Sequence, residues 1–356
     1  MKTQNILLGA AVTLCVAGII GSCMSSKNTH QEPAREEITA TEAPTAVPVK
    51  TLSVTATGDC TFGVDVNASY ALSWNAYAEK YGTDYFMENV RSIFEEDDLT
   101  IVNFEGTLTT RGERQPKTFA FRGDPSFVNA LSNSSVEAAN LANNHSLDYG
   151  TVSLEDTKMY LDEAGILNCR GVDNVSVSEI NGVQVGLVGI NYLNDQMRTE
   201  LEPAIQKAHD LGAELIILSI HWGIEKATAP TPEQVETAHR AIDLGVDLVI
   251  GTHPHVLQGI EKYNGRYICY SLGNFSFGGN NAPSDMDTAI FRQKFTLNGL
   301  EVADDDNVEV IPCRISSSNG YNDYRPTPAE GETRDRIINK ITSYTQSLGG
   351  PELYFR

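Results

Sequence analysis

Apolar residues fall in short, nearly continuous runs along this chain, and each run stops at a small or polar cluster. The first, "TLSVTATGD" (51–59), alternates as a strand does and ends at Gly58-Asp59. The runs "LTIVNFEG" (99–106), "VEAANLANNH" (136–145), "VQVGLVGIN" (183–191), "ELIILSIHWG" (214–223) and "DLVIGTHPH" (247–255) repeat the arrangement. Between them the pattern lengthens to that of amphipathic helices, over 85–94, 125–131, 153–164, 202–211 and 232–244. Strand alternating with helix at this spacing predicts an α/β layered fold. The later stretches 255–277 and 287–297 read as β-hairpin material, with Asn264-Gly265 as a turn. A helical period over 334–349 closes the chain.

The N-terminus follows a different rule. Lys2 precedes "ILLGAAVTLCVAGII" (6–20), a run too short to span a bilayer comfortably but suited to the apolar part of an export signal. Gly21 and Ser22 before Cys23 resemble a bacterial lipobox, in which Cys23 carries the lipid and becomes the new N-terminus. An ordinary cleaved signal or an uncleaved anchor is the alternative. Residues 24–50 contain no aromatic side chain and three prolines, a composition that cannot bury enough apolar surface to order itself. The expected division is therefore a signal peptide over 1–22, a tether over 23–50, a main domain over 51–297, and a C-terminal strand and helix extension over 298–356 packing on that domain. The expected location is extracytoplasmic, on the bacterial cell membrane.

With 356 residues, 41% of them hydrophobic, the chain can bury a large core. Its formal net charge of -21 argues against a nucleic-acid partner, since phosphate backbones need a basic face. An acidic polymer would be repelled too, unless bound cations supply a local positive field. Beyond Cys15 and Cys23, the cysteines Cys60, Cys169, Cys269 and Cys313 show no CxxC pairing, which leaves room for one disulfide and none for a zinc ribbon. Cys60 has no basic neighbour to make it a nucleophile.

The chemistry lies in where the runs end. Five of them finish on a metal-ligand type: Asp59, Glu105, Asn144-His145, His221, and His253 with His255. Ligand sites in α/β sheets form just outside the carboxyl ends of strands. Singly, each residue has a bland reading, as a core histidine, a turn former, a helix cap or a solvated acid. Together they make an inventory for two divalent ions, Mn, Fe or Zn: Glu105 bridging, Asp59 and His255 on one ion, Asn144, His221 and His253 on the other. His145 is left over as a general acid. Arg122 either faces an anionic substrate or pairs with Asp124 at the surface. Asn274 and Glu261 are candidates to hold ligating imidazoles from behind. His209 and His239 read as solvated helix residues, and Trp222 and Phe275 as packing.

The ordered blocks "TGDCTFG", "NFEGTL", "LANNHSLDYG", "HWGIE", "GTHPHVLQGIE" and "YSLGNFSF", spanning Thr57 to Phe277, resemble the CapA-like (poly-gamma-glutamate capsule biosynthesis) proteins, a branch of the calcineurin-like metallophosphoesterase superfamily. The resemblance implies a four-layer α/β/β/α sandwich around a two-metal centre, with Asp148 orienting His145. Thr61 departs from it, standing where the superfamily has a ligating histidine. Three functions compete on this reading. One is a metal-dependent hydrolase acting on a phosphoester or on an amide bond of an anionic capsule-type polymer. The second is a non-enzymatic lipoprotein of a polymer synthesis or export complex. The third is a solute-binding lipoprotein, which requires two lobes joined by hinge crossovers.

Overall fold

Strand Val49–Thr61 organises one half of the protein, and its neighbours explain why the apolar runs are continuous rather than alternating. A computed structural model describes residues 48–356; the signal and lipidation expectations, including Cys23, lie outside the described residues. Val49–Thr61 pairs antiparallel with Asp287–Asn298 (Ala56 opposite Phe291) and parallel with Leu99–Phe104 (Ala56 opposite Ile101). Ala138–Asn140 and Leu167–Cys169 extend the parallel side, and Val308–Arg314 the antiparallel side. The second sheet runs Ile260–Tyr263, Arg266–Cys269, Leu248–Thr252, Leu215–His221, Val183–Asn191, Ser176–Ile180, with antiparallel strands only at its two edges. Parallel strands covered on both faces read as unbroken apolar runs.

Three buried clusters define the layers. Leu52, Val54 and Ile101 of the first sheet meet Leu187, Ile217 and Ile250 of the second in a shared inter-sheet core. Val102 and Phe104, on the other face of the first sheet, pack with Phe86, Leu131 and Leu161 of the outer helical segments. Val188, Leu218 and Val249 of the second sheet pack with Ile205 and Ala241 of helices Leu201–Asp210 and Pro232–Asp243. The order is helix, sheet, sheet, helix, the four-layer α/β/β/α sandwich. The described residues form one compact unit, so among them there are no two lobes of the kind that a solute-binding protein requires. Helix Pro232–Asp243 starts at a capping box, with Thr231 and Gln234 satisfying each other's backbone groups and Pro232 at the first turn. Helix Gly331–Ser347 sends Ile337 and Ile341 into the inter-sheet core, and Thr345 Oγ1 accepts from Ile260 N at 3.1 Å. Among the described residues no helix is long and apolar enough to cross a membrane.

Some expected elements change shape. The run 136–145 is a strand only over Ala138–Asn140, because Asn140 Oδ1 then accepts the backbone N of Ala142 at 2.9 Å and turns the chain. Asn264 (φ 47) and Gly265 (φ 79) do make the hairpin turn between Ile260–Tyr263 and Arg266–Cys269. Asn274–Phe277, expected in the same hairpin, instead pairs parallel with the end of Val49–Thr61. Cys60, Cys169, Cys269 and Cys313 are all buried free thiols, so no disulfide forms among them. Burial pushes the Cys60 thiol up to about 12, which suits the inert role.

Candidate metal centre

The carboxyl ends of both sheets meet at one corner, and close backbone approaches put the polar side chains there. A Cβ on Gly58 would lie 2.0 Å from Gly273 O. Its absence lets Asp59 N donate to that same carbonyl at 2.9 Å, where the strand register shifts. Asp59 Oδ1 then accepts from Asn103 Nδ2 at 2.7 Å, and Oδ2 lies 3.1 Å from His255 Nδ1. Glu105 follows its strand directly, with its N donating to Cys60 O at 2.8 Å. In the second sheet His221 ends Leu215–His221; its Nδ1 lies 3.0 Å from Thr252 Oγ1, and its Nε2 lies 2.9 Å from Asn144 Oδ1 and 3.6 Å from Glu105 Oε1. Gly251, inside strand Leu248–Thr252, permits the close approach of the Tyr270 carbonyl, since a Cβ there would lie 2.1 Å from it. Beyond it His253 (φ 96) and His255 (φ 58) both take up left-handed backbone, which aims two imidazoles inward from one turn. Such strain in non-glycine residues costs of order 1–3 kcal/mol each and concentrates at functional sites.

Glu105 is the electrostatic focus. It is 0% exposed, and neither carboxylate oxygen accepts a hydrogen bond. Burial, reinforced by the neighbouring Asp59 charge, pushes its carboxyl up to about 8. Burial opposes the protonation of His255, yet Glu105 and Asp59 outweigh it and raise the imidazole to about 10. His253 is driven down to about 4 by burial and by His255, and its Nδ1 also has no partner. Burial, with the other imidazoles, holds His221 well below its ordinary value. Buried polar groups are normally paired, so two bare carboxylate oxygens and a bare imidazole nitrogen at one corner require an explanation.

A cation would supply it. Two of the residue groups that could hold a metal ion here are Glu105-His221-His253 and Asp59-Glu105-His255, each with ligand atoms within 4.8 Å of one another. Glu105 is shared, and Asn144 Oδ1 adds an amide oxygen beside His221. Carboxylate, imidazole and amide oxygen form a donor set suited to a divalent transition ion. The residues present fit the group that the sequence pattern calls for.

Beside this corner, His145 Nδ1 lies 2.7 Å from Asp148 Oδ2, and its Nε2 lies 3.9 Å from Glu105 Oε1. Asp148 is fully engaged: Lys117 Nζ donates to Oδ1 at 2.7 Å and Phe121 N to Oδ2 at 2.6 Å. Burial lowers the His145 pKa, with the Asp148 hydrogen bond working against it. Glu105, His145, His255 and Asn274 line a cavity of about 440 Å³ walled by Phe121 and Phe277.

Asn274 stands behind a candidate ligand, its Oδ1 2.9 Å from His255 Nδ1. Two other expectations are corrected. Glu261 meets no imidazole of the centre; His239 Nε2 lies 2.8 Å away and Tyr270 OH donates to it at 2.6 Å. Arg122 neither lines the cavity nor pairs with Asp124. Its guanidinium donates to the Arg111 and Gly112 carbonyls and covers the Tyr149 ring at 3.6 Å. His209, at 2.9 Å from Leu244 O, and His239, stacked on Tyr263, also stand apart from the centre. Trp222 and Phe275 are fully buried packing residues. Three residues escaped notice in the sequence. Asn103 lies two before Glu105 on the same strand face, Glu225 closes the "HWGIE" block, and Lys117 sits in a charged loop that carries no signal.

Fold and site together define a four-layer α/β sandwich with a histidine–carboxylate centre at its strand ends. Residues 53–279 match the family model described as bacterial capsule synthesis protein PGA_cap, and the chain belongs to that family. Its relatives include the capsule biosynthesis protein CapA of Bacillus anthracis, 28% identical over 83% of this chain and 74% of the relative. The PGA biosynthesis protein CapA of Bacillus subtilis is 29% identical over 67% of this chain and 69% of the relative. A probable polyglutamine synthesis accessory protein of Mycobacterium tuberculosis is 29% identical over 62% and 66%.

Proposed function

We propose that this protein is a lipid-anchored, extracytoplasmic metal-dependent hydrolase serving the biosynthesis of a capsule or poly-gamma-glutamate type surface polymer. The observation that carries the reading is Glu105, buried without a hydrogen bond at the junction of two ligand groups. Asp59, Glu105 and His255 would hold one divalent ion, and Glu105, Asn144, His221 and His253 the other; manganese, iron and zinc all suit these donors. Bound there, the ions would supply Lewis-acid polarisation of the substrate's oxygen and cancel its negative charge. The chain's own part is positional. Asp148 fixes His145 through Nδ1, so that Nε2 faces the cavity and carries the proton for a leaving group. Lys117 offsets the Asp148 charge. Phe121 and Phe277 form an apolar wall, and the cations would let an anionic polymer or phosphoester approach a chain whose net charge is -21. Anchoring rests on the run before Gly21-Ser22-Cys23.

The test is metal content by mass spectrometry on the purified protein, followed by assay on phosphoester and gamma-glutamyl substrates. About two ions per chain are expected, with both weakened in Glu105→Gln and one lost in His253→Ala. His145→Ala should keep the ions and lose turnover by about 10²–10⁴-fold. A chain that binds no manganese, iron or zinc after reconstitution would reject the enzyme and leave a second reading, a non-enzymatic component of a polymer synthesis complex. Thr61 favours that second reading, since a hydroxyl stands there in place of a strong ligand.

A further inference from the structure

The two ligand groups are unequal. Glu105, His221 and His253 are joined by Asn144, whose Oδ1 lies 2.9 Å from His221 Nε2, which makes four donors. Asp59, Glu105 and His255 make only three. Thr61, close to this corner, is wholly buried with its hydroxyl unpartnered, and a neutral hydroxyl is a weak donor beside carboxylates and imidazoles.

Glu225 lies next to this gap. One of its carboxylate oxygens and ring nitrogens of His253 and His255 all fall within 4.8 Å of one another, and Glu225 lines the same cavity as Glu105. It is exposed, yet its loop is not a loose rim. Trp222 N donates to Thr252 O at 3.1 Å, and Lys226 N donates to Pro254 O at 2.8 Å, the carbonyl between the two histidines. Gln258 Nε2 holds the far side through Ala227 O at 2.8 Å. The backbone that carries Glu225 is thus tied to the backbone that carries His253 and His255. His253, 7% exposed with Nδ1 unpartnered, is the buried orphan on the same side. A carboxylate held beside two imidazoles completes a mixed donor set that suits a divalent ion.

We infer that Glu225 is a further protein ligand of the centre, grouped with His253 and His255 on its cavity side and serving the ion that has fewer donors. This rests on the metal-centre reading above and adds a residue which that reading did not contain. Because Glu225 is exposed, its removal leaves the core untouched, and the same loop contacts hold Glu225→Gln and Glu225→Ala in place.

Stepwise calorimetric titration with Mn²⁺ and Zn²⁺, and the visible absorption of the Co²⁺ form, test the assignment on the intact protein. Wild type should bind two ions. Both Glu225 variants should keep the tighter ion and bind the second about 10- to 100-fold more weakly, with a changed Co²⁺ spectrum for that step alone. Glu261→Gln, an acid outside the centre, should match wild type. Two ions bound with wild-type affinities and spectra in both Glu225 variants would overturn the inference and leave the centre standing. Equal weakening of both ions would overturn the assignment to the His255 side. A wild type that binds no ion would remove the inference and the underlying centre together.

Discussion

Strand Val49–Thr61 touches two buried charged regions, and they are built on opposite plans. At Thr55 the partner is Arg292, all three of whose side-chain nitrogens donate. Nε donates to Thr55 Oγ1 at 3.0 Å, Nη1 to Glu96 at 3.0 Å and Glu309 at 2.9 Å, and Nη2 to Ile93 O. Four residues on, at Asp59, the neighbour is Glu105, whose two oxygens accept nothing. The electrostatics follow the geometry. Hydrogen bonds from Arg356 and Arg292 pull Glu96 down to about 2, whereas burial drives Glu105 up to about 8. A charge that meets its complement inside the chain belongs to the architecture. A charge left bare at the end of a strand is open to a partner from outside the chain.

The sharpest way to break this contrast is Arg292→Met. Truncating one side of a buried pair costs about 3–5 kcal/mol. The partly exposed Glu96 can turn to solvent, so the lower end of that range is expected. Urea unfolding should show the loss, with metal stoichiometry unchanged. A loss under about 1 kcal/mol would mean the network is decoration rather than support.

Glu105→Gln should act the other way. It replaces a carboxylate disfavoured by burial with a neutral amide, so above about pH 8 the metal-free domain should gain about 1–3 kcal/mol while losing its response to divalent ions. Thermal unfolding in chelator compares the two proteins directly. A destabilised variant would show that His255, 4.0 Å away, already compensates Glu105 in full.

The pH dependence sharpens the same point. The folded-state pKa of Glu105, about 8, exceeds the ordinary carboxyl value, so the unfolded chain releases this proton first as pH rises. His255, raised to about 10, contributes stability that is complete below its ordinary value of about 6.5 and lost above it. Both terms make the metal-free domain weaken between about pH 5 and pH 10. His253, lowered to about 4, weakens it on the acid side, as pH falls from about 6.5. Ion binding needs deprotonated ligands, so saturating Mn²⁺ or Zn²⁺ should reverse the slope between about pH 6 and pH 8. Parallel slopes with and without metal would sink the assignment of these groups as ligands.

The same contrast explains what could be read from the amino-acid sequence. Asp59, Glu105, Asn144, His221, His253 and His255 were legible because each follows an apolar run, and runs buried on both faces announce where a parallel strand stops. The layers were legible for the same reason. In strand Val308–Arg314, Pro312 sits opposite Ala289, although proline reads against a strand interior. Glu225 and Lys117 were hidden because loops place them, and a loop's destination is a tertiary fact. Arg122 was misread because main-chain carbonyls, invisible as partners in a sequence, took up its donors.

The smallest expected effects separate Asn274 from Glu261, two residues alike in the sequence. Asn274 Oδ1 lies 2.9 Å from His255 Nδ1, and its Nδ2 donates to His255 O at 3.3 Å, so it fixes both the ring and the backbone of a ligand. Asn274→Ala should weaken ion binding about 10- to 100-fold, the usual scale for a residue behind a metal ligand. Glu261 has the same kind of contact to His239, a histidine on helix Pro232–Asp243 stacked against Tyr263. Its hydrogen bonds to His239 and Tyr270 hold an edge strand to that helix, and Glu261→Gln keeps an acceptor for either donor. Calorimetric ion binding by Glu261→Gln should match wild type, with stability changed by no more than about 1 kcal/mol. An Asn274→Ala protein indistinguishable from Glu261→Gln would mean that the strained turn alone orients His255.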